Sequence, residues 1–163
     1  MRKIVVLLLL GILLAGCSAA ETFETVGDEV LTPVMGQEKQ VMLTLPEGAA
    51  SPVVNTEDGA RLFLCDGYDL TVQTLAGGDL GRTVTALCGY SADRVQVMES
   101  EKDGCKRYEW VWTAAGEEGD QIGRAVVLVQ GDYHYCVSVM APASRAGALE
   151  AEWGEVFRSL TLR

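Results

Sequence analysis

Beyond its first eighteen positions, the residues of this sequence suited to chemistry are four cysteines, one histidine, two acidic turns and an aromatic stripe. His134 and Cys136 fall on one face of an expected strand. A nucleophile and its base need hydrogen-bond reach and a third group to orient the base. Neighbours at i and i+2 on a strand stand about 6.5–7 Å apart and point the same way. No catalytic residue is therefore assigned. Glu99, Glu101 and Asp103 form one acidic turn; Glu117, Glu118 and Asp120 form the other. Calcium takes six to eight oxygens, and neither turn has EF-hand spacing, so both read as solvated hairpin tips. With one histidine and no CxxC, the cysteines do not have zinc spacing. Neither a metal nor a cofactor is expected. Tyr108, Trp110 and Trp112 alternate onto one strand face. They suit either an aromatic platform for a ligand such as a sugar or a core stripe beneath a helix, and such stripes are more often core.

The first eighteen positions are more specific. Arg2 and Lys3 precede an apolar run, Ile4 to Leu14, and then Leu14-Ala15-Gly16-Cys17. Charge, apolar length and a small-residue cut site make a secretory leader. The run is shorter than the roughly 20 residues needed to span a bilayer. The cysteine directly after the small pair resembles the lipobox of bacterial lipoproteins. That resemblance implies cleavage before Cys17 and a diacylglyceryl group on its thiol. Two acyl chains give stable anchoring where one does not. The protein is thus expected on the extracytoplasmic face of a cell membrane. Ser18 is compatible with export to an outer membrane if the host is Gram-negative.

Cleavage leaves 147 of the 163 residues, one ordinary domain by length. The formal charge is −10, and without Arg2 and Lys3 the remainder carries −12. Such a surface repels nucleic acid and anionic headgroups, so membrane contact is expected through the lipid alone. Residues 17–37 are polar and broken by Gly27, Pro33 and Gly36, and read as a tether. Residues 38–163 form the domain.

Residues 41–45 predict a short strand, and Glu47 to Gly59 a loop. Asp66-Gly67 between apolar runs predicts a hairpin with both turn residues at positive φ, placing Phe63 opposite Leu70. Asp79 caps a helix with the stripe Leu80, Val84, Leu87 and Cys88, ended by Gly89. Four meander strands follow, over residues 94–99, 105–113, 122–130 and 133–140. The first turn among them is placed at residues 100–104, and Gly131-Asp132 makes the last. Ser144 is expected to cap a second helix buried through Leu149, Trp153, Val156 and Phe157, before a short last strand.

This order predicts an α+β domain with an antiparallel sheet of about seven to eight strands and two packed helices. Together with Tyr68-Asp69-Leu70-Thr71-Val72, Leu87-Cys88-Gly89-Tyr90, Glu109-Trp110-Val111-Trp112, Tyr133-His134-Tyr135-Cys136 and Val156-Phe157-Arg158-Ser159-Leu160, it resembles the PsbP/Mog1-like fold and clostridia-type lipoproteins built on it. The resemblance implies a binding or accessory module for an envelope protein or small ligand and carries over no functional residue. An envelope hydrolase and a structural envelope protein are the alternatives.

Export permits disulfides among Cys65, Cys88, Cys105 and Cys136, with reduced, buried thiols as the alternative. In a meander, Cys105 and Cys136 lie two strand spacings apart, about 9.6 Å, beyond disulfide reach. Cys88 and Cys105 are separated by the length of a strand. Elimination leaves Cys65–Cys105 with Cys88–Cys136.

Overall fold

The computed structural model describes residues 36–117 and 119–163. The leader, Cys17, the tether up to residue 35 and Glu118 lie outside the described residues.

Among the described residues the chain runs β1 (Val41–Met42), β2 (Val53–Val54), β3 (Arg61–Cys65), β4 (Tyr68–Ala76) and α1 (Leu80–Cys88). A 3-10 turn at Ala92–Arg94 leads into β5 (Met98–Lys102), β6 (Cys105–Gly116), β7 (Gly119–Gln130) and β8 (Tyr133–Pro142), then α2 (Ala143–Ser159) and β9 (Thr161–Leu162). Seven strands form one antiparallel sheet in the order β2-β3-β4-β8-β7-β6-β5. The order of the meander from β5 to β8 is as expected, but its first strand starts at Met98 and not at Arg94, which lies in the 3-10 turn. The early hairpin joins it at β8, because α1 carries the chain from β4 across the sheet to the far edge. β1 and β9 form a separate pair.

Strand alternation sends one residue set to each face. Val126, Leu128, Tyr135, Val137 and Val139 join Phe63, Leu70 and Val72 beneath α2, which contributes Leu149, Trp153, Val156 and Phe157. Trp110, Trp112, Ala125, Val127 and Cys136 form a second core with Val84, Leu80 and Leu87 of α1. The two helices therefore cover opposite faces, in three layers.

Local signals behave unevenly. Asp79 accepts from the Gly81 amide at 2.9 Å, and Gly89 takes the left-handed conformation, φ 75°, as a C-cap requires. The β3–β4 register is as expected, but Gly67 alone of its turn pair has positive φ. A turn with both central residues at positive φ lies instead at Asp103-Gly104 (52° and 75°), so β5 runs on through Ser100, Glu101 and Lys102, which the sequence places in a turn. The loop at 47–59 contains β2. α2 begins one residue before Ser144, with Pro142 at the N-cap and no side-chain cap; proline there presets the entry without a hydroxyl.

Candidate functional site

The β6–β7 register places Glu109 opposite Val126, and Val111 opposite Arg124. Arg107, Glu109, Val111 and Arg124 therefore all face α2. Glu109 accepts from Arg107 Nη2 at 3.0 Å through one oxygen, and through the other from Arg124 Nε at 2.7 Å and Arg124 Nη2. Arg107 Nη1 also donates to the Phe157 carbonyl at 3.2 Å, and Lys102 Nζ to the Arg158 carbonyl at 2.5 Å. The Arg124 guanidinium lies 5.1 Å from the Phe157 ring centroid. Cations from β5 and β6 thus meet carbonyls at the C-terminal end of α2, where the helix presents unpaired acceptors and partial negative charge. Burial raises the Glu109 pKa, but hydrogen bonds from Arg124 and Arg107 outweigh it and hold the carboxyl below its ordinary value.

Alongside the N-terminal half of α2 the same face opens into a hollow of about 340 Å³. Met98, Val111, Ile122, Ala146, Gly147 and Glu150 line it. Ala146 and Gly147 are too small to cover the sheet here, which leaves Met98 54% and Val111 52% exposed. Farther along α2, Tyr68 donates to Glu152 at 2.7 Å. Burial and that carboxylate together push the phenol upward.

On the opposite face the aromatic stripe is core. Trp110 and Trp112 are buried beneath α1 and the 3-10 turn, with Tyr108 packed at their side. Of the two readings of Tyr108, Trp110 and Trp112, the burial of Trp110 and Trp112, 0% and 5% exposed, is that of a core stripe. Trp112 lies across Gly123, where an added Cβ would fall inside the indole. The stripe's reverse face is wetter, as expected, but Arg107 and Glu109 are only 15% exposed.

His134 lies under α1, its Nδ1 2.6 Å from Thr83 Oγ1. Cys136 does not approach the ring: its thiol donates to the His134 carbonyl at 3.5 Å, and burial pushes its pKa up to about 12. That is the opposite of an activated nucleophile. Burial lowers the His134 pKa. The unfolded state then binds the proton more readily, so stability is full above about pH 6.5 and falls below it, down to the folded pKa. Urea midpoints at pH 7.5, 6 and 5 should show this decline in the wild type and a flatter response in His134→Gln. An equal decline in both would remove His134 as its cause.

All four domain cysteines are free. Cys65 on β3 and Cys105 on β6 are separated by β4, β8 and β7, about 19 Å at the usual strand spacing, which corrects the expected Cys65–Cys105 bond. Cys88 and Cys136 belong to the same core, but the Cys88 thiol donates to the Val84 carbonyl at 3.1 Å and forms no bond to Cys136. The acidic turn residues are spread out: Glu99 and Glu101 lie along β5, Asp103 sits in the turn after it, and Glu99 meets Lys106 at 3.5 Å.

No protein-family model matches the sequence, and no curated protein does. Solved structures do match. The cyanobacterial PsbP (CyanoP) from Synechocystis aligns with a TM-score of 0.55 at 12% identity, over 80% of this chain and 96% of that one. The Ran-binding protein Mog1p of Saccharomyces cerevisiae aligns with a TM-score of 0.51 at 13% identity, over 78% and 96%. A protein from Bacteroides thetaiotaomicron aligns with a TM-score of 0.51 at 14% identity, over 76% of this chain and 45% of that one. The domain has the PsbP/Mog1-like fold. At these identities the likeness is one of architecture.

Proposed function

We propose that this chain is an extracytoplasmic lipoprotein, held to a cell membrane by lipid on Cys17, whose domain is a binding or accessory module for an envelope partner. The leader residues Leu14-Ala15-Gly16-Cys17 support the anchor. The partner surface is the hollow beside α2, and the half-exposed Met98 and Val111 in its wall carry that assignment. Apolar walls next to a charged floor are what a partner side chain fills. Mog1p, which shares the fold, is a Ran-binding protein, and binding through such a scaffold is the use proposed here.

One experiment tests both halves. Cells express the full chain with a photo-crosslinking residue at Val111 or, as a control, at Glu57. Each is made with Cys17 and with Cys17→Ala. The Cys17 protein should fractionate with membranes and the Cys17→Ala protein should leave them. Crosslinking at Val111 should give one discrete adduct that Glu57 does not. Full membrane retention of Cys17→Ala would reject the lipid anchor, and identical adducts from both positions would reject the surface.

A further inference from the structure

α1 covers only part of its face of the sheet, and the strand beside it changes character where the cover ends. Beneath α1 the inward residues are Trp110, Trp112, Ala125, Val127 and Cys136. On β4, one strand beyond β8, the residues on this same face are Asp69, Thr71 and Gln73, with Ser138 of β8 paired to Thr71. β4 and β8 are the third and fourth of seven strands. Polar residues are ordinary where a sheet face is open to water; what distinguishes these four is that they meet α1 across a concavity. They line one wall of a cleft of about 220 Å³ whose other wall includes Ala86 and Leu87 of α1. Trp112 and Met140 also contribute to the lining. Among the described residues, no hydrogen bond or ion pair engages the side chains of Asp69, Thr71, Gln73 or Ser138. Thr71, Gln73 and Ser138 are nevertheless half-buried.

We infer that this cleft is a small-molecule site for a cationic polyhydroxy compound of single-ring size, such as an amino sugar. The donor and acceptor inventory fixes the class. Thr71 and Ser138 each donate and accept, Gln73 does both through its amide, and Asp69 only accepts. A ring of hydroxyls satisfies the first three, and an ammonium group at the mouth satisfies the exposed carboxylate through a charge-assisted bond. Among the described residues no lysine or arginine lines the cleft, so a phosphate or carboxylate would meet Asp69 with nothing there to offset the repulsion. Leu87 and Met140 supply the apolar side against which the C–H face of a ring packs. The volume is below the roughly 300–1,000 Å³ of drug-sized pockets, which limits the ligand to about one ring. The site is on the opposite face from the hollow beside α2 and does not depend on it.

The test uses the full-length lipidated protein in detergent, titrated by calorimetry with glucosamine, glucose and glucuronate. Amide NMR shifts report the location. Glucosamine should bind with shifts centred on Thr71, Gln73, Leu87 and Ser138. Glucose should bind about tenfold more weakly, the loss of one charge-assisted contact, and glucuronate weaker still. Asp69→Asn should bring glucosamine down to the level of glucose. The Thr71→Val/Ser138→Ala double variant should weaken both, with circular dichroism confirming that the sheet is kept. The inference is overturned by the absence of glucosamine binding up to about 50 mM, far weaker than a specific site requires. It is equally overturned by shifts scattered away from the cleft, by glucuronate binding as well as glucosamine, or by Asp69→Asn leaving the preference unchanged.

Discussion

Trp110→Ala should lower the free energy of unfolding by about 3–5 kcal/mol, the usual loss when a large aromatic side chain leaves a well-packed core. Trp110 is 0% exposed and sits between the sheet and Val84 of α1. The cavity cannot close easily, because β7 fixes it from one side through Ala125, the residue paired with Trp110. Tyr108→Ala should cost much less, since Tyr108 is only partly buried. Trp110→Phe gives a sharper control. The Trp110 Nε1 is buried without a hydrogen-bond partner, a group whose burial itself costs free energy. Phenylalanine removes that donor while keeping most of the volume, so it should lose clearly less than alanine. Urea unfolding of the three variants checks the order. A loss below about 1 kcal/mol for Trp110→Ala would contradict the core assignment, because exposed substitutions typically stay within about 0.5 kcal/mol.

The sequence carries the alternation of these strands plainly. Tyr135, Val137 and Val139 against His134 and Cys136 is a period-2 pattern, and the structure places the two sets against different helices. The Asp79 cap, the Gly89 stop and the buried stripe of α2 are equally local, and local signals survive in a folded domain. β5 shows where such reading fails. Met98–Lys102 is an edge strand with charged residues. An edge needs charge to avoid pairing with other chains, so its composition imitates a turn. Strand order fails for another reason. Alternation states which face a residue takes and says nothing about which strand lies beside it. The β4–β8 pairing joins residues far apart in the chain, for instance Val72 with Val137. The expected Cys65–Cys105 bond takes no account of that pairing, which sets the strands of the two cysteines four positions apart. The charge network around Glu109 was hidden likewise: Arg107 and Glu109 are visible as i and i+2 neighbours, but Arg124 joins them only through the β6–β7 register.

That network should be the largest polar contribution to the α2 face. Glu109→Ala leaves Arg107 and Arg124 half-buried beside each other without their shared carboxylate. Removing one partner of a fully buried pair costs about 3–5 kcal/mol, and the 15% exposure of Glu109 lets water recover part of this, so about 2–3 kcal/mol is expected here. Glu109→Gln, which keeps one acceptor, should cost less than alanine. The effect has a direction in pH. The folded carboxyl titrates below its ordinary 4.5, so the carboxylate's contribution is complete above about pH 4.5 and is lost as pH falls through the lower folded value. The stability gap between wild type and Glu109→Gln should therefore hold constant from pH 7 to pH 5 and shrink towards pH 3. His134 is present in both proteins, so its titration cancels in this gap. Urea unfolding of both proteins at pH 7, 5 and 3 decides the matter. A gap that stays the same at pH 3 would contradict a contribution from the carboxylate's charge that is lost on protonation. A Glu109→Ala protein as stable as the wild type would mean that the Lys102 contact to the Arg158 carbonyl holds the end of α2 without help from the arginines.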